Sequence, residues 1–270
     1  MGSCNSCPSK GTCGKDEQSC GIVNNPQNKI KNIIGVMSGK GGVGKSTMSV
    51  MIAKELAARG YQVGVLDADI TGPSIPRLFH IENERARGTE QLIYPVETAE
   101  GIKVMSLNLV VEKEDEAVIW RGPAIVSVVK QFWTGVYWGE LDYLIIDMPP
   151  GTGDVPLTVL QSFPVDGIII VTSPQELVSM IVGKAVNMAK AMDIPVLGIV
   201  ENMSYFQCPD CGKRHAVFGE SHIDQVAAEY GIANIAKLPI DPDAARTVDM
   251  GKAEELDVSG LDGLFKVIKG

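Results

Sequence analysis

The sequence predicts an α/β domain with a doubly wound, mostly parallel sheet. Short runs of β-branched and apolar residues, each bounded by turn signals, recur along the chain. Such runs are what strands buried on both faces look like. Helix-length segments separate them, the pattern of a parallel sheet covered on both sides. A glycine-rich loop also joins the first strand to the first helix, where an open sheet of this kind binds phosphate.

In chain order, "NIIGVMS" is the first strand, "STMSVMIAKELAARG" the first helix and "YQVGVLDAD" the second strand. "IKVMSLNLV", "LDYLIIDMPP", "VDGIIIVTS" and "IPVLGIVENM" read as further strands. The stretch from Arg85 to Glu100 is the least regular and predicts an exposed connection. Residues 1–30 are rich in Gly, Ser, Asn, Lys and Cys and poor in large apolar side chains. They read as a cysteine-rich tail that cannot fold alone, ahead of a domain over residues 31–270. There is no internal repeat.

The 270 residues are 45% hydrophobic and 21% charged, an ordinary globular balance. A net charge of -9 argues against a general nucleic-acid binder, which needs clustered Lys and Arg. No stretch approaches the ~20 apolar residues of a membrane span. The opening "MGSCNSCPSKGTCGK" lacks the apolar run of a secretory signal, so a cytoplasmic protein is expected. In that compartment thiols stay reduced, and closely spaced cysteines point to metal. All six cysteines fall into two groups: Cys4, Cys7, Cys13 and Cys20 in the tail, and the late pair Cys208 and Cys211. Four thiolates suit either zinc or [4Fe–4S]. In "CPDCGKRH", His215 could serve as a third ligand of a local zinc site. His80 and His222 have no ligand-like spacing.

"SGKGGVGKST" follows the first strand and opens the first helix. Gly39, Gly44, Lys45 and Ser46 satisfy the G-x-x-x-x-G-K-[ST] spacing of a phosphate loop. Gly39, Lys40, Gly41, Gly42, Val43, Gly44, Lys45, Ser46 and Thr47 are therefore the expected phosphate cradle of a nucleotide. Lys45 is expected to reach the outer phosphates and the Ser46 hydroxyl to bind Mg²⁺. Asp67 and Asp69 close "VGVLDAD", and Asp147 closes "YLIID". Carboxylates at the C-terminal ends of parallel strands, beside a phosphate loop, can hold Mg²⁺ through its waters. Asp147 takes that role here, with Asp67 as an outer partner.

Lys40, a second lysine early in the loop, marks the deviant Walker A class and resembles the MinD/ParA/nitrogenase-iron-protein group of P-loop NTPases. The resemblance implies that Lys40 contacts the nucleotide of the opposite subunit, hence a homodimer. It also implies that Asp69 is the switch aspartate that orients or activates the attacking water. With "DADITGPSIP", "WRGP", "LDYLIIDMPPGTGD", "ENMSYFQCPDCGK" and "LPIDP", the chain from about Lys31 onward resembles the Mrp-type iron–sulfur cluster carrier ATPases. That family implies slow ATP hydrolysis and delivery of a cluster to apo-proteins. It places Asn202 and Asp241 near the adenine. "CNSCPSKGTC" resembles the last three cysteines of the related scaffold branch's N-terminal motif, with Cys20 as the candidate fourth ligand. Cys208 and Cys211 would form half a site, completed across a two-fold axis around one shared [4Fe–4S] cluster. The rival reading is a positioning or partitioning switch with structural zinc. For it, "GLDGLFKVIKG" offers Leu261, Leu264, Phe265 and Ile268 as an amphipathic membrane helix, although such a helix more often docks on its own core.

Overall fold

The computed structural model describes residues 25–70, 72–89, 92–110, 122–174 and 178–268. Cys4, Cys7, Cys13 and Cys20 lie outside the described residues. From the N-terminal side the elements are β1 (Lys29–Ser38), α1 (Lys45–Ala58), β2 (Val63–Asp67), α2 (Ile75–Leu78), β3 (Arg87–Gly88), β4 (Ile93–Tyr94), β5 (Val96–Glu97) and β6 (Lys103–Met105). Then come α3 (Gly122–Gly135), β7 (Glu140–Asp147), α4 (Asp154–Ser162), β8 (Gly167–Thr172), α5 (Val178–Ala191), β9 (Val196–Gln207) and β10 (Arg214–His215). The chain closes with α6 (Ile223–Tyr230), β11 (Ile235–Pro239), α7 (Pro242–Asp249) and α8 (Asp262–Ile268).

Among the described residues the main sheet has nine strands in the order β10-β9-β8-β1-β7-β2-β6-β5, with β11 against β9. Every pair in it is parallel except β5–β6 and β9–β10 at its margins. The apolar runs read from sequence are the central strands, and β2 and β8 are buried at every position. One face of the sheet packs Ile33, Leu66, Ile146 and Ile170 against Trp133, Leu160, Val186 and Val226 of the helices. The other packs Ile34, Val65, Ile145 and Ile169 against Val50, Leu56 and Phe265.

Three details differ from the expected layout or sharpen it. "IKVMSLNLV" is a strand only over Lys103–Met105 and then tightens into a 3-10 turn at Leu107–Leu109. The chain leaves the sheet at Ser106, whose Oγ donates to Asp67 Oδ2 at 3.1 Å. β1 begins at Lys29, just after a buried Asn28. That side chain donates to the Val136 carbonyl at 2.9 Å and accepts from the Trp138 and Gly139 amides at 2.8 and 3.1 Å. The apolar face of "GLDGLFKVIKG" is spent on the domain itself: Leu261, Leu264, Phe265 and Ile268 are all buried in the second core. The Arg59 guanidinium covers the Phe265 ring at 4.5 Å. A membrane-facing role for that helix is thereby removed. Among the described residues no helix is long and apolar enough to cross a membrane.

Candidate nucleotide site and cysteine hairpin

The site grows out of the strand order. β1, β7 and β2 lie side by side, and the register sets Val36 opposite Asp147 and Asp67 opposite Asp147. Two carboxylates therefore stand next to each other at the C-terminal edge, directly below the loop that follows Ser38. Both are buried. Such a pair is costly unless each charge is paired or hydrogen-bonded.

Asp147 is satisfied by the first turn of α1. Lys45 Nζ and Ser46 Oγ both donate to its Oδ2, at 2.7 and 2.6 Å. Ser49 Oγ donates to Oδ1 at 2.7 Å. Asp67 accepts from the amides of Asp69, Ser74 and Ile75 and from Ser106 Oγ, at 3.1 to 3.3 Å. Burial, and then the charge of Asp147, push its carboxyl up to about 8, against the opposing pull of Lys45 and of the Ile75 and Ser106 hydrogen bonds. Asp69 turns an oxygen toward Lys45, with Nζ to Oδ2 at 3.7 Å. Lys40 is half-buried, and burial lowers its ammonium pKa below the usual lysine value.

The loop itself is shaped by close approach. Gly44 has φ of +85°, and a Cβ there would sit 2.4 Å from Asn202 Nδ2. A Cβ on Gly39 would sit 1.8 Å from Ile181 Cγ2 on α5. Asn202 is brought to the loop from β9, and its Nδ2 donates to the Val43 carbonyl at 3.0 Å. Two neighbouring cavities share this loop as a wall. The smaller, about 280 Å³, is walled by Gly41, Gly42, Gly44, Lys45, Ser46, Thr47, Asp69 and Pro150 among others. The larger, about 570 Å³, shares Gly42, Gly44 and Thr47 and is lined further by Met48, Met51, Asn202, Met203, Tyr205 and Asp241. Loop amides and hydroxyls in the smaller cavity, beside methionine and tyrosine side chains in the larger, suit the phosphates and the base of a nucleotide. Asp241 is the N-cap of α7, where Oδ1 accepts from the Asp243 and Ala244 amides at 2.8 and 3.2 Å.

The cysteine pair stands at the same end of the sheet. β9 outruns β8, with which its pairing ends at Glu201, and continues to Gln207. Arg214 and His215 fold back antiparallel on Gln207 and Phe206. The tip of this hairpin is "CPDCGK". The Cys208 amide donates to the Lys213 carbonyl at 2.9 Å and the Gly212 amide to the Cys208 carbonyl at 2.8 Å. The backbone amides of Cys211 and Asp210, and then the Cys211 side chain, hold the Cys208 thiol below the ordinary range. Among the described residues, no three His, Cys, Asp or Glu side chains gather closely enough to hold a metal ion. His215, placed in β10, therefore does not join Cys208 and Cys211 in a local three-ligand site.

A family model for the NUBPL iron-transfer P-loop NTPases matches residues 29–262. The chain belongs to this family. An iron–sulfur cluster carrier protein of Clostridium perfringens (strain 13 / Type A) is 48% identical over 269 residues, covering 94% of each chain. One of Methanocaldococcus jannaschii is 43% identical, covering 99% of this chain and 94% of its own. A nucleotide-binding protein of Archaeoglobus fulgidus in complex with ADP superposes with a TM-score of 0.77 at 45% identity, covering 86% of this chain and 91% of that one. The septum site-determining protein MinD of Pyrococcus horikoshii OT3, with Mg-ADP, superposes with a TM-score of 0.63 at 18% identity, covering 88% and 94%. That likeness shows the fold alone. The relatives favour iron transfer over the positioning-switch reading.

In this iron-transfer P-loop NTPase, Gly41, Gly42, Gly44, Lys45, Ser46, Thr47, Asp69, Asn202 and Asp241 of the expected residues line the two cavities. Asp147 is buried behind them, bonded to Lys45 and Ser46, with Asp67 beside it in the register. Gly39, Lys40 and Val43 line neither cavity. Cys208 and Cys211 stand apart on their hairpin. The sequence reading missed Ser49 and Ser106. Ser49 lies four residues after Lys45 on one helix, so both face the same way; that spacing was the available signal. Ser106 carries none until β6 is known to lie beside β2.

Proposed function

We propose that the protein is a homodimeric ATPase that carries a [4Fe–4S] cluster as cargo and hands it to apo-proteins. One observation carries the reading. A phosphate-loop site with paired buried carboxylates and an exposed dithiol hairpin leave the same edge of one sheet. The family and its carrier-named relatives support it.

The glycine amides and the N-terminus of α1 receive the phosphates. The base enters the larger cavity between the methionines of α1 and Asn202. Ser46 Oγ and Asp147 Oδ2, 2.6 Å apart, are hard oxygen donors that fit Mg²⁺, with Asp67 beside them. Mg²⁺ bound there supplies positive charge to the phosphates. Lys45 exchanges its contact with Asp147 for the outer phosphates. Asp69 positions the attacking water. Lys40 acts across the dimer on the second copy's nucleotide, adding one charge contact where negative charge develops. Cys208 and Cys211 of each copy contribute two thiolates to one cluster, and the tail cysteines form a second, separate cluster site.

Anaerobic reconstitution tests the reading. The expected result is iron and sulfide bound in equal amounts, a thiolate-to-iron absorption band, and transfer of the cluster to an apo-ferredoxin. Preparations that take up one zinc per monomer and no sulfide would point to the switch instead.

A further inference from the structure

β9 is continuous in sequence but not in support. Its pairing with β8 stops at Glu201, and Met203 bends the strand with φ of +57°. Beyond that bend the chain is held by β11, by the Ile240 amide donating to the Tyr205 carbonyl at 2.6 Å, and by β10. Asn202 pins the bend to the phosphate loop. Its Nδ2 holds the Val43 carbonyl, and its Oδ1 accepts from the Met203 amide at 3.0 Å. Met203 and Tyr205 then wall the larger cavity. The Arg214 guanidinium lies over the Tyr205 ring, 4.2 Å from its centroid. Arg214 pairs with Gln207, the residue before Cys208, and follows Lys213, whose carbonyl receives the Cys208 amide.

We propose that Tyr205 and Arg214 are positioning residues that couple occupancy of the nucleotide cavity to the placement of Cys208 and Cys211. The inference rests on the nucleotide and cargo roles assigned under the proposed function. A ligand shifts an equilibrium only through contacts that differ between two states. Here the differing contacts are those with Met203 and Tyr205, and the stacked guanidinium carries them into the hairpin. Residues 211–220 are all exposed, so the hairpin tip is not packed into either core.

The test uses the full chain, metal-free and reduced, with iodoacetamide as the probe. Mass spectrometry of peptides separates Cys208 and Cys211 from the tail cysteines. In the unsubstituted protein a saturating non-hydrolysable ATP analogue with Mg²⁺ is expected to change the alkylation rate of the pair about fivefold or more, the low end of typical couplings. Arg214→Met is expected to abolish that change at saturation, and Arg214→Lys, which keeps a cation over the ring, to retain part of it. An unchanged nucleotide effect in Arg214→Met, or none in the unsubstituted protein, overturns the proposal. Iron and sulfide loading of the same preparations keeps the two readings apart. Normal loading with an unchanged Arg214→Met effect removes only the coupling. Absent loading removes the carrier reading, and the alkylation still decides the coupling.

Discussion

Lys45 Nζ lies 2.7 Å from Asp147 Oδ2, and the two side chains are only 7% and 0% exposed. The phosphate-loop lysine and the carboxylate at the end of β7 thus neutralise each other inside the domain. Removing one partner leaves the other charged and buried, a loss of roughly 3–5 kcal/mol in such pairs. Lys45→Met is therefore expected to lower the melting temperature as well as abolish nucleotide binding. Lys45→Met with Asp147→Asn should recover most of the stability and none of the binding. Thermal unfolding and binding of a fluorescent ATP analogue read both. A double variant as unstable as the single one would refute the pairing argument.

Asp67 makes the metal-free protein pH-sensitive. Its folded pKa of about 8 stands above the ordinary 3.8 because of burial, and then the Asp147 charge. The unfolded chain gives up this proton near the ordinary value, while the folded chain keeps it up to about 8. The native state then binds more protons, so stability falls as pH rises through that window. In chelator, denaturant midpoints should decline from pH 5 to pH 8. Asp67→Asn should flatten the decline. A midpoint that rises with pH in both proteins would contradict the assignment.

Asn28 ties the start of β1 to the turn before β7 through three hydrogen bonds. Asn25 is buried next to it, and its Oδ1 accepts from the Gln27 amide at 3.0 Å. A chain beginning at Ile22 is expected to unfold cooperatively and bind ATP, losing only what the tail cysteines hold. A chain beginning at Lys29 loses the Asn28 bonds. Leaving buried groups unsatisfied costs about 1–3 kcal/mol each, so it should be clearly less stable. Equal melting temperatures for the two would show that the anchor is idle.

Much of this was legible in the sequence because the fold writes strong local signals. "VGVLDAD" is apolar until it reaches Asp67 and Asp69, so strand and site were read together. The phosphate loop needs glycines at fixed steps, and Gly44 at φ +85° is one of them. The long-range partners were not legible. Ser106 matters only because β6 lies next to β2, and no local pattern says so. Leu261, Leu264, Phe265 and Ile268 make one apolar face whether it meets lipid or a core, and only the packed structure tells which. The Met203 bend was hidden too, since a left-handed methionine runs against a backbone preference of about 1–2 kcal/mol.

Cys208 and Cys211 lie close enough that the Cys211 amide and side chain both act on the Cys208 thiol, yet no third ligand joins them among the described residues. A tetrahedral thiolate site wants four ligands. Two copies related by a two-fold axis passing beside the hairpin would supply them, because residues at such an axis face their own counterparts. The stoichiometry separates this arrangement from a closed zinc site in each copy. In a chain beginning at Ile22, reconstitution is expected to give about four irons per dimer, the content of one shared [4Fe–4S] cluster. Cys208→Ala should remove the iron and shift the protein toward monomer in analytical ultracentrifugation, with ATP binding retained. Iron held by a monomer, or a dimer whose stability ignores Cys208→Ala, would leave the two thiol pairs unconnected and the shared site refuted.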